Sequence, residues 1–122
     1  MAQEDKELLL IDLCARKPHG LKYQANGKLH TLQKIDGRFI DSEMYTLEEV
    51  KPYLRPLSSM TEEEKADYHF YCETVWDSAE ESYYYYDTFK SIDWLNEHHF
   101  DYRGLIPMGL ALEAPEDMYK IG

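Results

Sequence analysis

The dipeptide Asn26-Gly27 constrains this chain more than any other local feature. A two-residue type I′ turn needs positive φ at both central positions, and Asn-Gly adopts it at the least steric cost. Leu21 to Ala25 precedes the pair and Lys28 to Ile35 comes after it, and both stretches suit strands. Closing the turn pairs Ala25 with Lys28, Tyr23 with His30 and Leu21 with Leu32. Asp36-Gly37 repeats the signal and leads into Arg38 to Asp41. The expectation is a three-stranded antiparallel meander over residues 21–41.

Helical spacing surrounds this region. Leu9, Leu10, Leu13 and Cys14 make one apolar stripe, widened by Leu8 and Ile11, which predicts a helix over residues 4–16. Acids at its start and Arg16 and Lys17 at its end suit the helix dipole, and Pro18 and Gly20 stop it. Thr46 with Glu49 has the capping-box spacing of a short helix. Pro52 and Pro56 make Lys51 to Leu57 an irregular connection. Thr61 with Glu64, or Ser59 with Glu62, caps a helix running to about Ser78, with Tyr68, Cys72, Val75, Trp76 and Ala79 as its stripe. A last helix is predicted over residues 83–98, with Tyr85, Phe89, Ile92 and Leu95 facing inward. The tail from Asp101 is broken by glycine and proline, with a helical turn or closing strand near Leu110 to Leu112. The fold class expected is α+β: an N-terminal helix, the meander, and two longer C-terminal helices packed on it, all in one domain of residues 1–122.

A chain of 122 residues with 43% apolar side chains supports a core without disulfides or metal. Cys14 and Cys72 form no CxxC pair and are expected as reduced, buried thiols. The acidic start and the interruption by Asp12 do not fit a signal peptide, and no stretch approaches a membrane span. The expected location is cytoplasmic, with no membrane partner.

Charge is unevenly spread within a net −11. Glu62 to Asp87 holds nine acids and one base, net −8, whereas Arg16 to Arg38 holds six bases and one acid, net +5. A negative surface of this kind serves solubility or meets a basic partner. The run Tyr83-Tyr84-Tyr85-Tyr86 sits inside the acidic segment. Successive helical residues turn by about 100°, so four tyrosines cannot all face one core. Exposed tyrosine is rigid and amphipathic, and beside carboxylates it suits arginine-rich surfaces. The candidate partner-binding residues are therefore Glu73, Asp77, Glu80, Glu81, Tyr83, Tyr84, Tyr86 and Asp87. Acid plus tyrosine also imitates the phosphates and bases of a nucleic acid. Direct nucleic-acid binding by the basic hairpin is not expected under the overall negative charge.

No phosphate-binding loop, nucleophile elbow or HExxH motif occurs, and no cofactor is expected. His69 and Cys72 share helical spacing, but no second pair completes a zinc site. Two other readings stand beside a binding protein. One is an enzyme with a spatially assembled site using His98, His99 or Cys72 with Asp101 or Glu97. The other is a structural or assembly component.

Lys51-Pro52-Tyr53-Leu54-Arg55-Pro56-Leu57-Ser58-Ser59-Met60-Thr61 and Ser91-Ile92-Asp93-Trp94-Leu95-Asn96-Glu97-His98-His99-Phe100-Asp101-Tyr102-Arg103 resemble stretches in short uncharacterised proteins of gut anaerobes and their phages. The resemblance covers the C-terminal two thirds. It implies a phage or mobile-element context and carries over no functional residues. The functional expectation is a small, acidic, non-catalytic protein that binds a basic protein partner, such as a nucleic-acid-binding or defence protein that it inhibits.

Overall fold

The computed structural model describes residues 1–119, and the last three residues of the expected 1–122 domain lie outside them. The first helix, α1 (Gln3–Arg16), buries Leu9 and Leu13 as its stripe predicts. It is rotated so that Asp12 and Arg16 also face inward, which leaves Cys14 exposed rather than buried. Cys72 is half-buried, and both thiols are free.

Asn26 and Gly27 take φ of 52° and 71°, joining β1 (Lys22–Ala25) to β2 (Lys28–Thr31). Ala25 pairs with Lys28 and Tyr23 with His30, and the Leu32 N–H donates to the Leu21 carbonyl at 2.8 Å. The third strand of the expected meander does not form. Instead β3 (Ile35–Asp36) and β4 (Phe39–Ile40) make a separate small ribbon, with Ile35 opposite Ile40. Its turn residues are Gly37-Arg38, one position beyond the expected pair, with positive φ at Gly37. Asp41 explains the departure. Its carboxylate accepts from the N–H groups of Gln33 and Lys34 at 2.8 and 2.9 Å and from the Tyr23 hydroxyl, which peels the chain away from β2.

The free edge of β1 is taken by β5 (Lys51–Leu54), a strand in place of the expected irregular connection. Pro52 pairs with Tyr23, and the parallel partner β8 (Leu112–Glu113) pairs with Tyr53 and Leu54, past the proline, so the proline interrupts no ladder there. The sheet order is β2-β1-β5-β8, with β8 as the closing strand expected near Leu110 to Leu112. Glu49 caps Thr46 at the head of a short 3-10 turn, its carboxylate accepting from the Thr46 N–H at 3.1 Å.

Thr61 and Glu64 form the expected capping box of α2 (Glu62–Tyr71). The helix then stops, with Cys72 extended, seven residues short of the predicted end. The chain continues into a hairpin, β6 (Glu73–Asp77) and β7 (Ser82–Tyr86), and only then into α3 (Phe89–Glu97), capped by Thr88 and Ser91. The helix predicted over residues 83–98 therefore begins at Phe89. Of its expected inward set Leu95 is buried and Ile92 half-buried, Tyr85 is exposed, and Phe89 is 93% exposed. Thr74-Val75-Trp76 and Tyr83 to Tyr86 are β-branched and aromatic runs, and pairing with each other outweighs the helical spacing either run shows alone.

The protein is thus mixed α+β, with three α-helices and three sheets among the described residues. The larger apolar cluster joins Leu9 and Leu13 of α1 to Leu21, Tyr23, Val50 and Leu54 of the four-stranded sheet region. A second cluster joins Trp94, Leu95 and Phe100, with Met60, Tyr68 and Ile92 against it. No described helix is long and apolar enough to cross a membrane.

Candidate functional site

The β6–β7 hairpin belongs to neither cluster. Cross-strand pairs run from Glu73 opposite Tyr86 to Asp77 opposite Ser82. Side chains alternate along strands, so Glu73, Val75 and Asp77 share one face with Tyr86, Tyr84 and Ser82. Thr74 and Trp76 share the other with Tyr85 and Tyr83. Every residue of both strands is exposed except Asp77, which is half-buried. Two-stranded ribbons are marginal by themselves, so the means by which this one stands matter.

Local contacts hold it. The Trp76 and Tyr83 rings meet edge to face at 4.8 Å. His69 on α2 stacks on Tyr85 with ring centroids 3.7 Å apart and planes 6° from parallel, tying the arm to the helix. At the turn, the Asp77 carboxylate accepts from the N–H groups of Ala79 and Glu80 at 2.8 and 3.3 Å. Glu81 completes the turn in the left-handed region, at φ 51°.

The structure sorts the expected partner-binding residues into three groups. Glu73, Asp77, Tyr84 and Tyr86 lie together on one face, and Tyr83 lies on the other beside Trp76. Glu80 and Glu81 sit at the tip, where Glu80 accepts from the Tyr84 hydroxyl at 2.6 Å and raises that phenol's pKa. Asp87 is the exception. It sits at the arm's base, accepting from the Tyr68 hydroxyl at 2.5 Å and the Ser91 hydroxyl at 2.9 Å, so it splices arm to helices. Burial first, then the Asp87 bond, pushes the Tyr68 phenol well above its usual range. Trp76 belongs to the exposed set although helical spacing assigns it to a core. Phe70 and Phe89, flanking the arm in sequence, are 80% and 93% exposed.

Cys72, His98, His99 and Asp101 of the enzyme reading each have other contacts. Cys72 lies beside Tyr68 at the arm's base. His99 is buried, stacked on Tyr119 at 3.9 Å, and burial followed by the nearby Arg16 charge lowers its pKa to about 3. The Asp101 carboxylate accepts from the N–H groups of Leu105 and Ile106. His98 lines a groove of about 710 Å³ with Arg55, Glu63, Glu64 and Tyr119. Its Nδ1 contacts the Trp94 carbonyl at 2.9 Å. Arg55 in that groove donates twice to Glu64, both at 2.8 Å, and covers the Phe100 ring at 4.1 Å. Burial raises the Glu64 pKa, and the Arg55 and Thr61 bonds outweigh it, leaving the carboxyl below its ordinary value. Among the described residues no group of three or more His, Cys, Asp or Glu is placed to hold a metal ion.

One charged cluster escapes sequence reasoning. Arg16 and Asp12 are wholly buried and paired at 2.9 and 3.0 Å, Arg103 reaches Asp12 at 2.6 Å, and Arg16 also donates to the Phe100 carbonyl. Its signal is an acid and a base four apart along the apolar side of α1. Burial of Arg16 also removes one base from the basic segment. No family model matches the chain, and neither a curated protein nor a solved structure matches it.

Proposed function

We propose that this chain is a non-catalytic binding protein whose acidic, aromatic arm engages a basic surface on another protein. An inhibitor of a nucleic-acid-binding or defence protein, in the phage or mobile-element context that the sequence resemblance implies, is its sharpest form. The carrying observation is the arm itself: two strands exposed on both faces, bearing Trp76 and four tyrosines within a segment of net charge −8. Tyrosine and tryptophan are the side chains that most often anchor protein interfaces. Carboxylates at the tip supply charge-assisted bonds for arginine and lysine, and the rings supply faces for guanidinium. Spaced carboxylates beside stacked rings also present, to a nucleic-acid-binding protein, the two chemistries that it reads in its own ligand.

The test is capture from host lysate at low and high salt with the wild-type chain and with Glu73→Lys, Glu80→Lys and Glu81→Lys combined. Asp87 is left intact because it holds the base of the arm. A basic protein held by the wild type at low salt, released at high salt and not held by the variant is the expected result. Retention of the same protein by a folded variant would sink the reading.

A further inference from the structure

We propose that the arm takes its partner by strand addition: an extended basic segment pairs with the outer edge of β7 as a third strand. This deepens the binding reading above and rests on it. Among the described residues neither β6 nor β7 makes a backbone hydrogen bond to any other strand, so alternate residues of each turn an unpaired N–H and C=O outward. Natural proteins guard such edges with charge, proline or bulges. The two edges differ here. β6 carries Glu73 and Asp77, whereas β7 is Ser82 followed by four tyrosines, with no charge, proline, glycine or bulge and an unbroken five-pair register on its inner side.

Charge decides the occupant. Glu80 and Glu81 lie just before β7 and Asp87 just after it, so both ends of the open edge are acidic. Two copies of this chain pairing β7 to β7 in antiparallel fashion would bring Glu80 and Glu81 against the other copy's Asp87, which like-charge repulsion opposes. A segment of about five extended residues with arginine or lysine at each end meets carboxylates at both ends. Between them its side chains alternate over Tyr84 and Tyr86 on one face and Tyr83 and Tyr85 on the other. Backbone bonds would then supply affinity, and the acidic ends the choice of partner.

The probe is a capped heptapeptide with arginine at both ends and alternating valine and threonine between, titrated into the full chain at low salt. Amide hydrogen exchange is tracked residue by residue. The outward amides of Ser82 to Tyr86 should slow at least tenfold, and a peptide N-methylated at alternate positions on its pairing edge should bind at least tenfold more weakly. Equal binding of the N-methylated peptide, or protection falling on β6 instead, overturns strand addition and leaves a charge-driven arm standing. Failure of the arginine peptide to bind at all also overturns it, while the lysate capture separately decides the binding reading. Protection of β7 in the peptide-free chain that grows with protein concentration would identify a second copy as the occupant and overturn the choice of a basic segment.

Discussion

At the level of single residues, two buried groups carry the sharpest consequences. Asp12 and Arg16 compensate each other away from water, and Arg16 Nη1 has no partner among the described residues even so. Removing one member of a buried pair costs about 3–5 kcal/mol, whereas replacing the pair with apolar groups is often near neutral. Asp12→Leu is expected to lower stability by that amount in urea denaturation. Asp12→Leu with Arg16→Met is expected to recover most of it, since Arg103 is partly exposed and can turn to solvent. His99 gives a pH dependence. Held neutral in the folded state to about pH 3 against an ordinary value of 6.5, its ring takes up a proton only in the unfolded chain between those limits. Stability therefore falls as pH drops below 6.5, by at most about 1.4 kcal/mol per pH unit from this group, and the fall ends near pH 3. His99 sits at φ 61°, which asparagine tolerates, so His99→Asn should flatten that slope in denaturation measured from about pH 7 to about pH 4.

Among the elements, the arm is where local preferences compete most closely. Helix α2 is capped firmly at Thr61, but nothing beyond Tyr71 holds it helical once Thr74 to Trp76 find Tyr83 to Tyr85 as partners. The hairpin's own weak point is Glu81, a non-glycine residue in the left-handed region. Relieving it with Glu81→Gly is expected to stabilise the arm by roughly 0.5–1 kcal/mol. The check is slower amide exchange across β6 and β7 than in a Glu81→Gln control, which removes the same charge and keeps the strain. Equal exchange in the two variants would show that the turn carries no such strain.

In the molecule as a whole, the arm stands apart from what holds the rest together. Neither apolar cluster draws a residue from Glu73 to Tyr86, and the arm leaves and re-enters the body between Glu73 and Tyr86, a paired position in its own ribbon. Replacing residues 73–86 with a short glycine-serine linker should leave the denaturation midpoint of the body within a few degrees and abolish partner capture. A collapse of the body on deletion would mean that the arm is part of the fold rather than an appendage of it. The contrast with Asp87 is useful here, because its two bonds belong to the body and its loss should be felt there.

The features legible in the chain itself lie within reach of a few neighbouring residues. The Asn26-Gly27 register comes from two backbone dihedrals, and the capping boxes at Thr46 and Thr61 from a carboxylate three positions along the chain. The burial of Leu9 and Leu13 comes from helical spacing. The acidic, tyrosine-rich segment is equally plain, although the helical turn expected to set its four rings apart gives way to a strand. The remaining features were settled by packing in three dimensions. β5 forms despite Pro52 because β1 offers it an edge and β8 joins past the proline. Asp12 and Arg16 turn inward because Arg103, ninety-one positions from Asp12, and the Phe100 carbonyl await them. Trp76 and the tyrosines become an exposed arm because two runs that each read as helix are more favourably paired with one another. Strand pairing and buried charge depend on partners distant in sequence, and a local pattern cannot name them.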